Sequence, residues 1–169
     1  MRRMLIAILI VAALFFVGVS FVAGQTSAAP EQPIAFSHKN HAVDRQIACE
    51  YCHTGARTGM VAGIPPVETC MGCHRTVGLV QGKPIPATQP IHDAWNNQQP
   101  IQWVRLTYLP QHAVFAHQPH LTQGVQCLEC HAQGNPPDRW FQAFRPSMAW
   151  CLTCHSGRGA GTDCWTCHK

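Results

Sequence analysis

Apolar and polar positions are distributed very unevenly along this chain. Met4 to Ala23 is an apolar run diluted only by Gly18 and Ser20 and preceded by Arg2 and Arg3. A helix of that length, at about 1.5 Å per residue, spans roughly 30 Å, the thickness of a bilayer's hydrocarbon core. A cleaved secretory signal is the competing reading, and Val22-Ala23-Gly24 is a weak cleavage site. The apolar region of such a signal usually covers about 7–15 residues, so this run is long for one. Residues 1–24 are therefore expected to form a single-span membrane anchor. The Arg end lies in the cytoplasm by the positive-inside rule, and the remainder is on the extracytoplasmic (periplasmic) side of the cell membrane.

After Gly24 the pattern changes. Few stretches hold a helical or strand period for long, and the chain's 13 Gly and 13 Pro interrupt them. The segment 81–110 is rich in Pro and Gln. Within it, Ile91 to Gln98 predicts a short helix that Pro100 would stop. Trp95 and Trp103 make this an ordered bridge or docking loop rather than a disordered linker. The expected fold is mainly irregular chain with short α-helices and little or no β-sheet.

Cysteine usage says what fills such a fold. All ten cysteines fall in five copies of Cys-x-x-Cys-His: Cys49, Cys52 and His53; Cys70, Cys73 and His74; Cys127, Cys130 and His131; Cys151, Cys154 and His155; Cys164, Cys167 and His168. Cys-x-x-Cys alone fits a zinc clip, a redox dithiol or part of a disulfide framework. A His directly after the second Cys in every copy points instead to c-type haem. There the two thiols bond the vinyl groups and the His takes one face of the iron. The 145 residues after Gly24 allow about 29 per motif, too few to enclose five separate protein cores. Five covalently bound haems, packed on one another, are expected to supply most of the buried apolar surface.

The formal charge of +4 changes meaning with haem present. A ferric haem with two neutral axial ligands and two ionised propionates carries about −1, so five bring the total to around −1. The scattered basic residues therefore do not argue for nucleic-acid binding.

An internal repeat organises the chain beyond the anchor. Phe36-Ser37-His38-Lys39-Asn40-His41 precedes the first motif and Phe115-Ala116-His117-Gln118-Pro119-His120 the third. Each Phe-x-His-x-x-His segment is followed by two motifs at similar spacing. The expected organisation is a two-haem unit over 25–80, a Pro/Gln/Trp bridge over 81–114, and a three-haem unit over 115–169.

Five six-coordinate irons need ten axial ligands. The motifs supply His53, His74, His131, His155 and His168. Of the remaining His, the four in the repeated segments, His38, His41, His117 and His120, are expected as distal ligands. Three-residue spacing on a helical turn lets two imidazoles reach neighbouring irons. For the fifth distal position His112, His92 and Met148 are candidates, with Met60 behind them. Ligand saturation argues for electron transfer and against substrate chemistry at iron, which needs an open position.

These residues resemble the membrane-anchored pentahaem cytochrome c subunit of bacterial alternative complex III, with modules of the c3/c7 type. The matching elements are the anchor, the segment 36–41, Ala62 to His74, Pro100 to Arg105, Leu109-Pro110 running into Phe115-Ala116-His117, and Met148-Ala149-Trp150-Cys151. Relatives often carry a His two residues after Arg105, where this chain has Thr107; His112 lies nearby. The resemblance implies a subunit without catalysis of its own, relaying electrons from quinol oxidation to a monohaem cytochrome c, a copper protein or another soluble redox acceptor. It also implies an iron–sulfur subunit and polytopic quinol-binding subunits as neighbours. The alternative is a free-standing, membrane-anchored multihaem quinol dehydrogenase with an under-ligated haem. A soluble haem enzyme such as a nitrite reductase is disfavoured, since no motif replaces the proximal His with Lys.

Overall fold

The computed structural model describes residues 30–131, 138 and 146–169; the expected anchor lies outside the described residues. Among the described residues no helix is long and apolar enough to cross a membrane. The architecture is a succession of short helices joined by irregular chain. A π-helical turn, Lys39–Asp44, is followed by α1 (Cys49–Cys52), α2 (Val67–His74), the strands β1 (Leu79–Val80) and β2 (Lys83–Pro84), and α3 (Gln89–Asn96). Then come α4 (His117–Thr122), α5 (Cys127–Cys130), α6 (Met148–Gly157) and α7 (Cys164–Cys167). The two strands form an antiparallel ribbon, with Leu79 opposite Pro84 and Val80 opposite Lys83.

Each Cys-x-x-Cys-His motif forms, ends or lies within a helix, and local sequence says why. Pro66, in extended conformation, precedes α2, with Glu68 in its first turn. Gln126 and Glu129 close a capping box around α5. Ser147 caps α6 by accepting the Trp150 N–H at 3.2 Å, and Arg158 closes its C-terminal end. In the π-helical turn the Arg45 N–H reaches the Asn40 carbonyl five residues back, at 3.0 Å, and the Lys39 ammonium meets the Asp44 carboxylate over the same spacing.

The helix expected from residue 91 to 98 runs from Gln89 to Asn96, an earlier start set by Pro90 in its first turn. Gln98, at φ 53°, lies beyond its end. Its inner face meets α2. Ile34, Val67, Met71 and Ile91 are buried together, with Cys70, Ala94, Trp95, Ile101 and Trp103 packed around them. Both bridge tryptophans are thus part of this small core. No described side chain is fully buried, and Val61, Met60, Ile64 and Trp165 are exposed. Such a core matches a chain whose apolar partner is a cofactor rather than more protein.

Candidate functional site

The two repeated segments fold alike. Phe36 meets His38 edge-on at 4.8 Å and stacks on His41 at 4.4 Å between ring centroids. Phe115 meets His117 edge-on at 4.9 Å and lies against His120 at 4.5 Å. In each segment the aromatic ring holds two imidazoles pointing toward different motifs.

Those imidazoles are paired with motif histidines. His38 faces His53 with centroids 6.5 Å apart, His41 faces His74 at 6.2 Å, His117 faces His131 at 6.3 Å and His120 faces His155 at 6.0 Å. A fifth pair, His112 with His168, stands at 5.4 Å. Two imidazoles on one metal, each at about 2 Å through Nε2, hold their centroids about 6 Å apart. The pairs therefore fit an iron between them, each joining one motif His to one His from elsewhere. Among the described residues no group of three or more His, Cys, Asp or Glu gathers as a metal site. Two facing ligands per site suit a macrocycle that brings its own four nitrogens.

The second nitrogen of most rings is already assigned. Nδ1–H of His41 and His120 donates to the carbonyls of Ser37 and Ala116, both at 2.8 Å. Nδ1–H of His53 donates to Gly63, of His74 to Val77, of His117 to Met60, of His155 to Gly161 and of His168 to the carbonyl of His112. A carbonyl only accepts, so each bond fixes the Nδ1–H tautomer and leaves the Nε2 lone pair for a metal.

His92 has the opposite arrangement. Its Nε2–H donates to the backbone carbonyl of His74 at 2.9 Å, so the nitrogen that pairs with iron elsewhere is spent on protein. Met148 and Met60 are both more than half exposed. His112 is carried to His168 by an antiparallel bridge between Ala113 and His168 and by the Val114 N–H bonded to the Cys167 carbonyl at 2.7 Å. Nothing local in the sequence marks that contact.

No disulfide joins any of the ten cysteines in the structure. They differ in how far protein covers them. Cys49, Cys52, Cys70, Cys127, Cys130, Cys151 and Cys167 are half-buried, whereas Cys73, Cys154 and Cys164 are exposed. Cys73 and Cys154 are the second thiols of their motifs and Cys164 the first of its own. In the second motif Cys70 lies against the small core and Cys73 faces out.

Electrostatics suit neutral ligands. Burial first, then the neighbouring His53 and His41, push the His38 imidazole down to about 4. Burial, with His117 and His53, lowers His131 as well. Both rings are therefore uncharged at neutral pH, as a ligand must be. Burial and adjacent thiols raise Cys52, Cys70, Cys130 and Cys151. A redox dithiol works through a lowered thiol, so this shift runs against that reading. An open, mainly apolar cleft of about 280 Å³, lined by Val125, Glu129, Cys130, Trp150, Thr153 and Cys154, brings thiols of two motifs onto one space.

Comparison with known proteins agrees with this geometry. The chain is similar to the menaquinone reductase multihaem cytochrome c subunit of Nitratidesulfovibrio vulgaris, 32% identical over 101 residues. The match covers 60% of this chain and 46% of the relative, so the chain spans less than half the length of the curated relative it matches. Residues 113–169 match the family model for cytochrome c7 and related cytochrome c. The matched segment contains three of the five Cys-x-x-Cys-His motifs, the signature by which c-type haem is attached.

Proposed function

We propose that this chain carries five covalently bound c-type haems and relays electrons within a membrane complex that oxidises quinol, of the alternative complex III type. It would have no substrate chemistry of its own. Anchored by residues 1–24, it would pass electrons on the extracytoplasmic side to a cytochrome or copper protein. The relative's name, a multihaem subunit of a menaquinone reductase, supports partner subunits and a quinone.

The observation that carries the reading is the set of five His–His pairs. In it His53, His74, His131, His155 and His168 are the proximal ligands, and His38, His41, His117, His120 and His112 the distal ones. A bound haem supplies a one-electron ferric–ferrous couple at each site. The protein's part is to close both faces, so that no position is open to substrate. Carbonyls fix the ring tautomers and orientations, the cysteines hold the macrocycle in place, and apolar side chains limit water around it.

The test is the oxidised full-length protein. Absorbance of its pyridine adduct should give five haems per chain, and EPR should give low-spin ferric signals without a strong high-spin component. A strong high-spin signal overturns the relay reading, because it reports an open iron, and favours the free-standing quinol dehydrogenase. The relative's name also motivates a second reading, electron flow in the reverse direction, into menaquinone. Purified complex reduced by a menaquinol analogue supports the first direction. Reduction of menaquinone by reduced complex, with no reaction from menaquinol, supports the second.

A further inference from the structure

We propose that the five haem-attachment sites do not follow chain order in space: the second stands at one end, followed by the first, the third, the fourth and the fifth. The inference rests on the haem ligation proposed above and adds which sites are neighbours.

Each junction is marked by contacts. Between the second and first sites, Phe36 lies against both His41 and His38. Tyr51 of the first motif reaches within 3.6 Å of where a Cβ on Gly72 of the second would stand. Cys52 of the first motif also stands near Cys73 of the second. Between the first and third, the loop leaving the first motif is bonded to the third site's distal histidine. The Met60 carbonyl accepts the His117 backbone N–H at 3.2 Å and its Nδ1–H at 2.8 Å, and the Gly59 carbonyl accepts the Gln118 N–H at 3.2 Å. Cys127 of the third motif is in hydrogen-bond contact with Cys49 of the first.

Between the third and fourth sites, Phe115 repeats the role of Phe36, and Arg158 pairs with Glu129. The open cleft also joins Cys130 to Cys154 there. Between the fourth and fifth, His155 donates to the Gly161 carbonyl, and the Cβ position of Gly161 is 3.2 Å from Thr166 Oγ1 in the fifth motif. Cys151 of the fourth motif stands near Cys167 of the fifth.

The inversion has a simple cause. Each Phe-x-His-x-x-His segment gives its first His to the nearer motif and its second His to the farther one. The two segments meet through their first-His sites, back to back. Two paired sites joined that way run second, first, third, fourth, and the remaining site extends the far end.

The test uses the full-length protein with its haems attached. When fully reduced and six-coordinate it is diamagnetic, and proton NMR reads which macrocycles touch. Nuclear Overhauser cross-peaks are expected between the first and second sites and between the first and third, with none between the second and third. Cross-peaks joining the second and third, without any joining the first and third, overturn the order. A stepwise oxidation of the His41→Met variant gives a second measurement. The raised potential at the second site should displace the titration of the first site alone, and equal displacement of the third overturns the proposal. Failure of the six-coordinate reading is distinguishable, since it brings high-spin shifts in the reduced spectrum; the His41→Met titration still decides the order.

Discussion

The carbonyl of His74 accepts the Nε2–H of His92, while His112 faces His168 across 5.4 Å. Both histidines are single residues outside any repeat, so sequence alone leaves them equivalent. The distinction comes from tautomer and from a bridge spanning more than fifty residues, neither of which a local pattern encodes. We predict that His112→Ala opens one iron and adds a high-spin ferric EPR signal, while His92→Ala and Met148→Ala leave all five sites low-spin. A high-spin signal in His92→Ala with none in His112→Ala would reverse the assignment. By contrast His38, His41, His117 and His120 are legible as a set, because the same spacing recurs beside the same motifs. Gly55 matters at this scale too. A Cβ there would stand 2.5 Å from the Val61 carbonyl, in the loop that presents carbonyls to His53 and His117. Gly55→Ala should cost about 1–3 kcal/mol through overpacking, read as a lower midpoint in denaturant unfolding of the holoprotein. An unchanged midpoint would mean that the loop yields freely.

The elements are mostly legible as well. Short helices at the motifs are expected, and so is a helix in the bridge over 91–98, although it runs from Gln89 to Asn96. What periodicity does not encode is the relative orientation of the paired rings. His38 with His53 and His117 with His131 are nearly parallel, at 4° and 8°. His41 with His74 and His120 with His155 are tilted, at 52° and 57°. His112 with His168 is intermediate, at 23°. Ring orientation sets the splitting of the ferric d orbitals, so the oxidised protein should give two families of low-spin EPR signal. The tilted pairs should show the larger principal g value and the near-parallel pairs a more rhombic spectrum. Five identical spectra would contradict the angles. His41→Ala should remove intensity from the first family and His38→Ala from the second.

At the scale of the whole molecule, the small cluster of Ile34, Val67, Met71 and Ile91 is too little to hold so long a chain. The irregular fold was legible in the spread of Gly and Pro and in the few residues available per motif. The spatial order of the sites was not, since it depends on contacts such as Met60 with His117 that no spacing announces. Chain produced without haem attachment should lose its cooperative thermal transition and most amide protection, measured by circular dichroism and hydrogen exchange. Retention of a cooperative transition would show that protein packing suffices.

The matching tilt of the rings makes the two repeated segments equivalent as ligand holders. Angles of 4° and 52° in one and 8° and 57° in the other show that the two segments hold their ligands in the same posture. The fifth site has no counterpart in the first copy and takes its second ring, His112, from the connecting chain. It stands outside the repeat, which pairs the other four sites two by two.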